Sequence, residues 1–218
     1  MSNLITNGEF LTLDHWTKWH IGPNNQTYNI ENINTGASHL VVVNPPTSLR
    51  MILDSRCWHA GVYQSVSVGA FKRVKATVSG RIYDVPAGVP WPGPSDPNGK
   101  RFLRIGIDQT GGTSPTSTVV QWEEVGQLYD TFKTISIEAL ALTNNVTVFV
   151  GIENGRDNEW PLFQMTGFLD AVSLVVLDDV EPPPPDPEPE PDNKLGIVSV
   201  EDKGTYWRIV EHKAKATP

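Results

Sequence analysis

The sequence predicts an all-β protein: an antiparallel β-sandwich of jelly-roll type, followed by a proline-rich linker and a small C-terminal β-hairpin. Three observations carry this reading. Short runs rich in β-branched and aromatic residues recur between turn clusters such as Gly-Pro, Asn-Pro-Pro and Gly-Gly. Several runs alternate with period two, as in Val74, Ala76 and Val78 against Lys75, Thr77 and Ser79. That pattern gives one buried face and one wet face, as in an antiparallel sheet. No window carries a sustained helical period with caps.

Strands are expected over 3–5, 27–30, 39–43, 51–53, 61–68, 73–83, 102–108, 118–122, 132–142, 146–153 and 168–177. They make one domain, 1–178. The composition breaks after it. Residues 179–193 form an acidic polyproline linker, in which proline fixes φ and removes donors, so an extended strut is expected. Twelve residues of it at about 3.1 Å each would span about 37 Å. Residues 194–218 read as two strands, 194–200 and 205–211, around a turn at Glu201-Asp-Lys-Gly204. An isolated hairpin is marginal in water. This one therefore reads as a docking segment for other chains of an assembly, or as the start of a further domain.

The formal charge of −8 is mostly a property of the linker: residues 178–192 hold seven acids and no base. Residues 1–177 carry 12 basic and 15 acidic side chains without a Lys/Arg stripe, which argues against nucleic-acid binding. No apolar run approaches the roughly 18 residues of a spanning helix, so no membrane insertion is expected. Cys57 is the single cysteine, which excludes an intramolecular disulfide and any multi-cysteine metal site. The first eight residues lack a basic start and an apolar stretch, so no secretory signal is expected. That favours a particle released by lysis, such as a phage virion, over a secreted protein whose signal has been removed.

Three short motifs stand in a fixed order: Asn3-Leu-Ile-Thr-Asn-Gly-Glu-Phe10 followed by Trp16, then Gly61-Val-Tyr-Gln-Ser-Val-Ser-Val68, then Gly167-Phe-Leu-Asp-Ala-Val-Ser-Leu-Val-Val176. Together they resemble the opening, the second marker and the closing strand of jelly-roll carbohydrate-binding modules of the galactose-binding-domain-like kind. The resemblance implies the sandwich fold over about residues 3–177 and a carbohydrate ligand. It also implies a structural calcium between the first and last strands, held by the Gly8 carbonyl, Glu9 and Asp170. Hard oxygen ligands from both chain ends would pin the two termini together.

A sugar-binding surface needs flat apolar rings flanked by amide, carboxylate or guanidinium groups. Trp91 lies in a loop too proline-rich for a central strand and is a candidate, with a lid or an interface anchor as alternatives. Trp160 is a second candidate, with Arg156, Asp157 and Asn158 beside it, and Trp58 is a third. Trp16 and Trp19 read as core and edge packing, and Trp122 sits in a strand where either face is open. Catalysis has little support. Glu123 and Glu124 are adjacent in a strand and face opposite ways, and no nucleophile, zinc or phosphate-loop motif occurs. His15 and His20 do not make a metal site, and Cys57 reads as idle. The expected function is therefore a non-catalytic glycan-adhesion module displayed on a larger assembly. Virion decoration without sugar binding, and an accessory module of a glycoside hydrolase, are the alternatives.

Overall fold

The computed structural model describes residues 2–22, 28–34, 43, 46–53, 59–86, 101–126, 131–154, 163–179, 198–202 and 207–211. The chain divides into two units, Met1–Glu181 and Pro182–Pro218. In the first, two five-stranded antiparallel sheets form the sandwich expected from the alternation. Sheet I runs in the order β1 (Thr17–Ile21), β4 (His59–Ser67), β9 (Asn145–Asn154), β6 (Arg101–Asp108), β7 (Val120–Gly126). Sheet II runs β2 (Tyr28–Asn34), β3 (Thr47–Leu53), β10 (Phe163–Asp179), β5 (Lys72–Pro86), β8 (Lys133–Leu140).

Alternate residues of both sheets meet between them. Val62, Ile105 and Val150 of sheet I join Met51, Val78 and Leu169 of sheet II in one fully buried cluster. Each such side chain contributes about 1.5–3 kcal/mol by leaving water. Strand β1 is not foreseen by the sequence: it is five residues long, polar at Thr17, Lys18 and His20, and paired only with β4. Residues 39–42 of another expected strand lie outside the described residues.

Residues 3–5, expected to be a strand, are instead part of a strap tied along β10. The β3 ladder on β10 ends at Leu49 opposite Leu169. Just beyond, β10 bulges: Asp170 faces Ser79 but Ser173 faces Thr77, and Ala171 has φ +53°. A bulge exposes backbone groups that need new partners, and the strap supplies them. The Val172 N–H donates to the Gly8 carbonyl (3.0 Å), and the Leu4 N–H donates to Leu174 (2.8 Å). The Asn3 amide donates to the Val172 carbonyl (3.1 Å) and accepts from the Leu174 N–H (2.9 Å). Gly8 is required, because a Cβ there would stand 2.1 Å from the Val172 carbonyl oxygen.

The rest of the first two motifs serves the same strap. Trp16 packs on buried Phe10, ring centroids 5.1 Å apart, and its indole N–H donates to the Asn7 carbonyl (3.0 Å). Gln64 grips the Thr6 peptide at both ends, accepting its N–H (2.8 Å) and donating to its carbonyl (2.9 Å).

In the second unit, β11 (Val198–Asp202) and β12 (Trp207–Glu211) pair antiparallel, which is the expected hairpin. Its first strand runs further than the sequence suggests. Glu201 and Asp202 extend the ladder opposite Arg208 and Trp207. Of the expected linker, 179–193, Asp179 ends β10 and the rest lies outside the described residues, as do 194–197 of the expected first hairpin strand.

Candidate functional site

The outward face of an antiparallel sheet is ordinarily polar, and most of sheet II follows the rule, apart from buried Tyr83 and Phe168, which pack with Ile33 and Phe132 on its outer side. Its outer side carries hydroxyl pairs, Thr77 with Ser173 (2.6 Å) and Ser79 with Thr134 (2.7 Å). It also carries ion pairs of Glu138 with Arg73 (3.2 Å) and Lys75 (3.5 Å). Sheet I does not. Register places two rows across its outer side: Trp19, Gly61, Gly151, Arg104, Glu124, and next to it Thr17, Tyr63, Phe149, Gly106, Trp122. These rows hold a second apolar cluster, separate from the core, in which Tyr63 and Trp122 remain partly exposed.

Glycines make this cluster possible. A Cβ on Gly61 or Gly151 would stand 2.7 or 3.0 Å from Cζ2 of Trp19, and one on Gly106 would stand 2.7 Å from Cε3 of Trp122. The two indoles therefore lie down on bare backbone, 5.9 Å apart, over Phe149 at 6.2 and 5.8 Å. His59 sits against both, 4.7 Å from Trp19 and 5.4 Å from Trp122.

Beside the rings lies a charged group. The Arg104 guanidinium stacks over Trp122 at 4.7 Å. Its Nη1 is 2.5 Å from Glu153 and its Nε is 3.2 Å from Glu124. Burial, with Arg104 alongside, lowers the His59 pKa to about 3, so the ring is neutral near pH 7. Burial pushes the Glu153 carboxyl up, against the pull of Arg104, and Glu124 adds to the rise. Flat rings flanked by fixed donors and acceptors can stack on the C–H face of a sugar and hold its hydroxyls.

The loop residues picked from the sequence, Trp58, Trp91, Arg156, Asp157, Asn158 and Trp160, lie outside the described residues. Their segments join β3 to β4, β5 to β6 and β9 to β10. The strand ends they connect are neighbours, as His59 opposite Glu153, Arg101 opposite Asn154 and Phe163 opposite Pro86 show. All three segments thus spring from the end of the sandwich where His59 and Glu153 stand. Trp16 is core and Trp19 is on an edge strand, as read. Trp19 faces outward, however, and it and Trp122 were not read as site residues. Glycines inside β4, β6 and β9 were the available signal, since glycine in a strand marks close approach.

At the other end, the strap ties Gly8 to β10 next to Asp170, its carbonyl accepting from the Val172 N–H. Asp170 is fully buried and accepts from the Ala171 N–H (2.7 Å) and the Val43 N–H (2.7 Å). The Glu9 carbonyl accepts from the Thr47 hydroxyl (2.8 Å). Carboxylate and carbonyl oxygens such as these are the hard donors calcium takes. No group of three His, Cys, Asp or Glu suited to a metal ion occurs among the described residues. Cys57 lies outside them.

No protein-family model matches the sequence, and no curated protein does. Solved structures do match in fold. TmCBM61, solved in complex with β-1,4-galactotriose, superposes with a TM-score of 0.51 at 12% identity, over 81% of this chain and 100% of that one. A putative sugar-binding protein from Bacteroides thetaiotaomicron gives 0.52 at 11% identity, again over 81% and 100%. The enzymatically active domain of bacteriophage CBA120 tailspike protein 4 gives 0.51 at 10% identity, over 80% of this chain but 21% of that chain. The fold is the β-sandwich of carbohydrate-binding modules.

Proposed function

We propose that the chain is a non-catalytic glycan-binding module whose ligand lies on the outer face of sheet I. The observation that carries this is the outer side of sheet I, where Tyr63 and Trp122 stay partly exposed on a layer of Trp19 and Phe149 laid over a glycine floor; the aromatic pair on the outer side of sheet II, Tyr83 and Phe168, is buried. Apolar patches on an outer face mark interaction sites, and the rim of Arg104, Glu124 and Glu153 supplies polar contacts. The segments with Trp58, Trp91 and Trp160 begin at one end of this face and would extend the platform. The test is retention of the wild type on a panel of insoluble polysaccharides, with Trp91→Ala and Trp160→Ala alongside. Retention that falls severalfold in these variants assigns the loops to the site. If multivalent wild-type protein is retained by no polysaccharide, the reading becomes one of virion decoration without sugar binding.

The module acts as an adhesin on a larger extracellular particle such as a phage virion, joined through residues 194–218. A domain of this fold occurs in a phage tailspike, which supports that setting. Deleting 182–218 is expected to abolish incorporation into the particle without lowering the melting temperature of the sandwich. A truncated chain that still assembles removes the docking role.

Calcium, where bound, is held by Glu9, Asp170 and the Gly8 carbonyl, and it supplies charge neutralisation where the strap meets β10. Chelator is then expected to lower the melting temperature by several degrees, and Glu9→Gln to blunt that response. Identical melting with and without chelator removes the ion.

A further inference from the structure

The charges on the aromatic face say which glycans it takes; this step rests on the glycan-binding reading. Arg104, Glu124 and Glu153 converge beside Trp122. The guanidinium is engaged by both carboxylates, while His59 is neutral near pH 7. Among the described residues, the nearby cations are committed elsewhere: Lys18 donates to the Ile30 carbonyl on sheet II, and buried Arg101 donates to Asn154. Among the described residues, one guanidinium faces two carboxyl groups, and Glu124 is the more exposed of the two. The exposures sharpen this: the Arg104 side chain is 19% exposed and that of Glu124 is 47%. The first charge an approaching ligand meets is therefore a carboxylate.

We propose that this face sorts glycans by charge, favouring those with protonated amines over neutral ones and neutral ones over uronates, with Glu124 as the specificity-determining residue. An ammonium on the sugar gains a carboxylate partner and the indole face of Trp122. A uronate meets two carboxylates and an arginine already paired, so its charge is desolvated without return.

The test uses the full chain and three β-1,4-linked oligosaccharides of equal length, built from glucosamine, glucose or glucuronate, titrated calorimetrically at mildly acidic pH. Ring geometry is shared, so charge is the main variable. Affinity is expected to fall in that order, by about two- to fivefold per step at low salt, the scale of one partly exposed charge. High salt should shrink the steps. Glu124→Gln, on an exposed position of edge strand β7, should remove the preference for amine over glucose. Equal affinities for all three, tighter binding of glucuronate, or an order unchanged by E124Q would overturn charge sorting and leave the glycan-binding face standing. Binding of none of the three would overturn the glycan reading together with the selectivity.

Discussion

Trp122→Ala is expected to weaken glycan binding by about tenfold or more and to cost little stability. The indole is partly exposed on edge strand β7, lies on the backbone of Gly106, and takes Arg104 on its face. A central aromatic anchor in an interface is commonly worth about 2 kcal/mol, and every 1.4 kcal/mol is about tenfold in affinity. The cost to folding should stay near 1 kcal/mol, because little area is lost from the main core. Trp19→Ala provides the contrast. That ring is 6% exposed, so its loss should cost about 3–5 kcal/mol and binding would fail through misfolding. Affinity electrophoresis and urea melts on both variants separate the cases. Unchanged affinity in folded Trp122→Ala would show that the ligand lies elsewhere.

Gly61→Ala is expected to destabilise the sandwich by about 3 kcal/mol or more, beyond the usual range for one added methyl group. The new Cβ would stand 2.1 Å from the Val150 carbonyl oxygen, 2.9 Å from the Gly151 Cα and 2.7 Å from Trp19. Two of these neighbours are backbone of the β4–β9 ladder and cannot move aside without breaking it. The third is the indole that forms the platform, so the variant strikes fold and site together. Ser65→Ala, on the same side of β4, is a control expected to cost under about 1 kcal/mol. A Gly61→Ala midpoint close to that of Ser65→Ala would mean that the strands do not approach so closely.

The fold was legible because burial in a sandwich imposes period two, and β5 and β8 show it plainly through Val74, Ala76, Val78 and Ile135, Ile137, Ala139. The three short motifs were legible as a family resemblance, yet what they specify is the strap. Asn3, Gly8 and Gln64 hold the N-terminal segment against its neighbours, and Asp170 accepts from the Ala171 N–H at the bulge that segment covers. Their presence therefore speaks to architecture and is silent on the ligand. The aromatic face was not legible, because it exists only through pairing between distant strands. Nothing local to Trp19 says that Gly61 and Gly151 will lie beneath it. In β9, Phe149 stands between Val148 and Val150, and such a run cannot tell which side is core and which is platform. The edge strand β1 was missed for the opposite reason: one ladder and three polar side chains leave a weak pattern.

The strap also fixes when this domain can finish folding. Asn3 finds its partners 169 and 171 positions later, at Val172 and Leu174. On the ribosome, Asn3 must therefore wait for nearly the whole domain before its hydrogen bonds can close. Contacts of such sequence separation make folding slow, since a long loop must be closed before any contact compensates. Until then the bulge at Asp170 lacks its cover and the inner edge of β10 stays open. Emergence of β10, rather than of the strap, is thus the step that commits this sandwich to its native state.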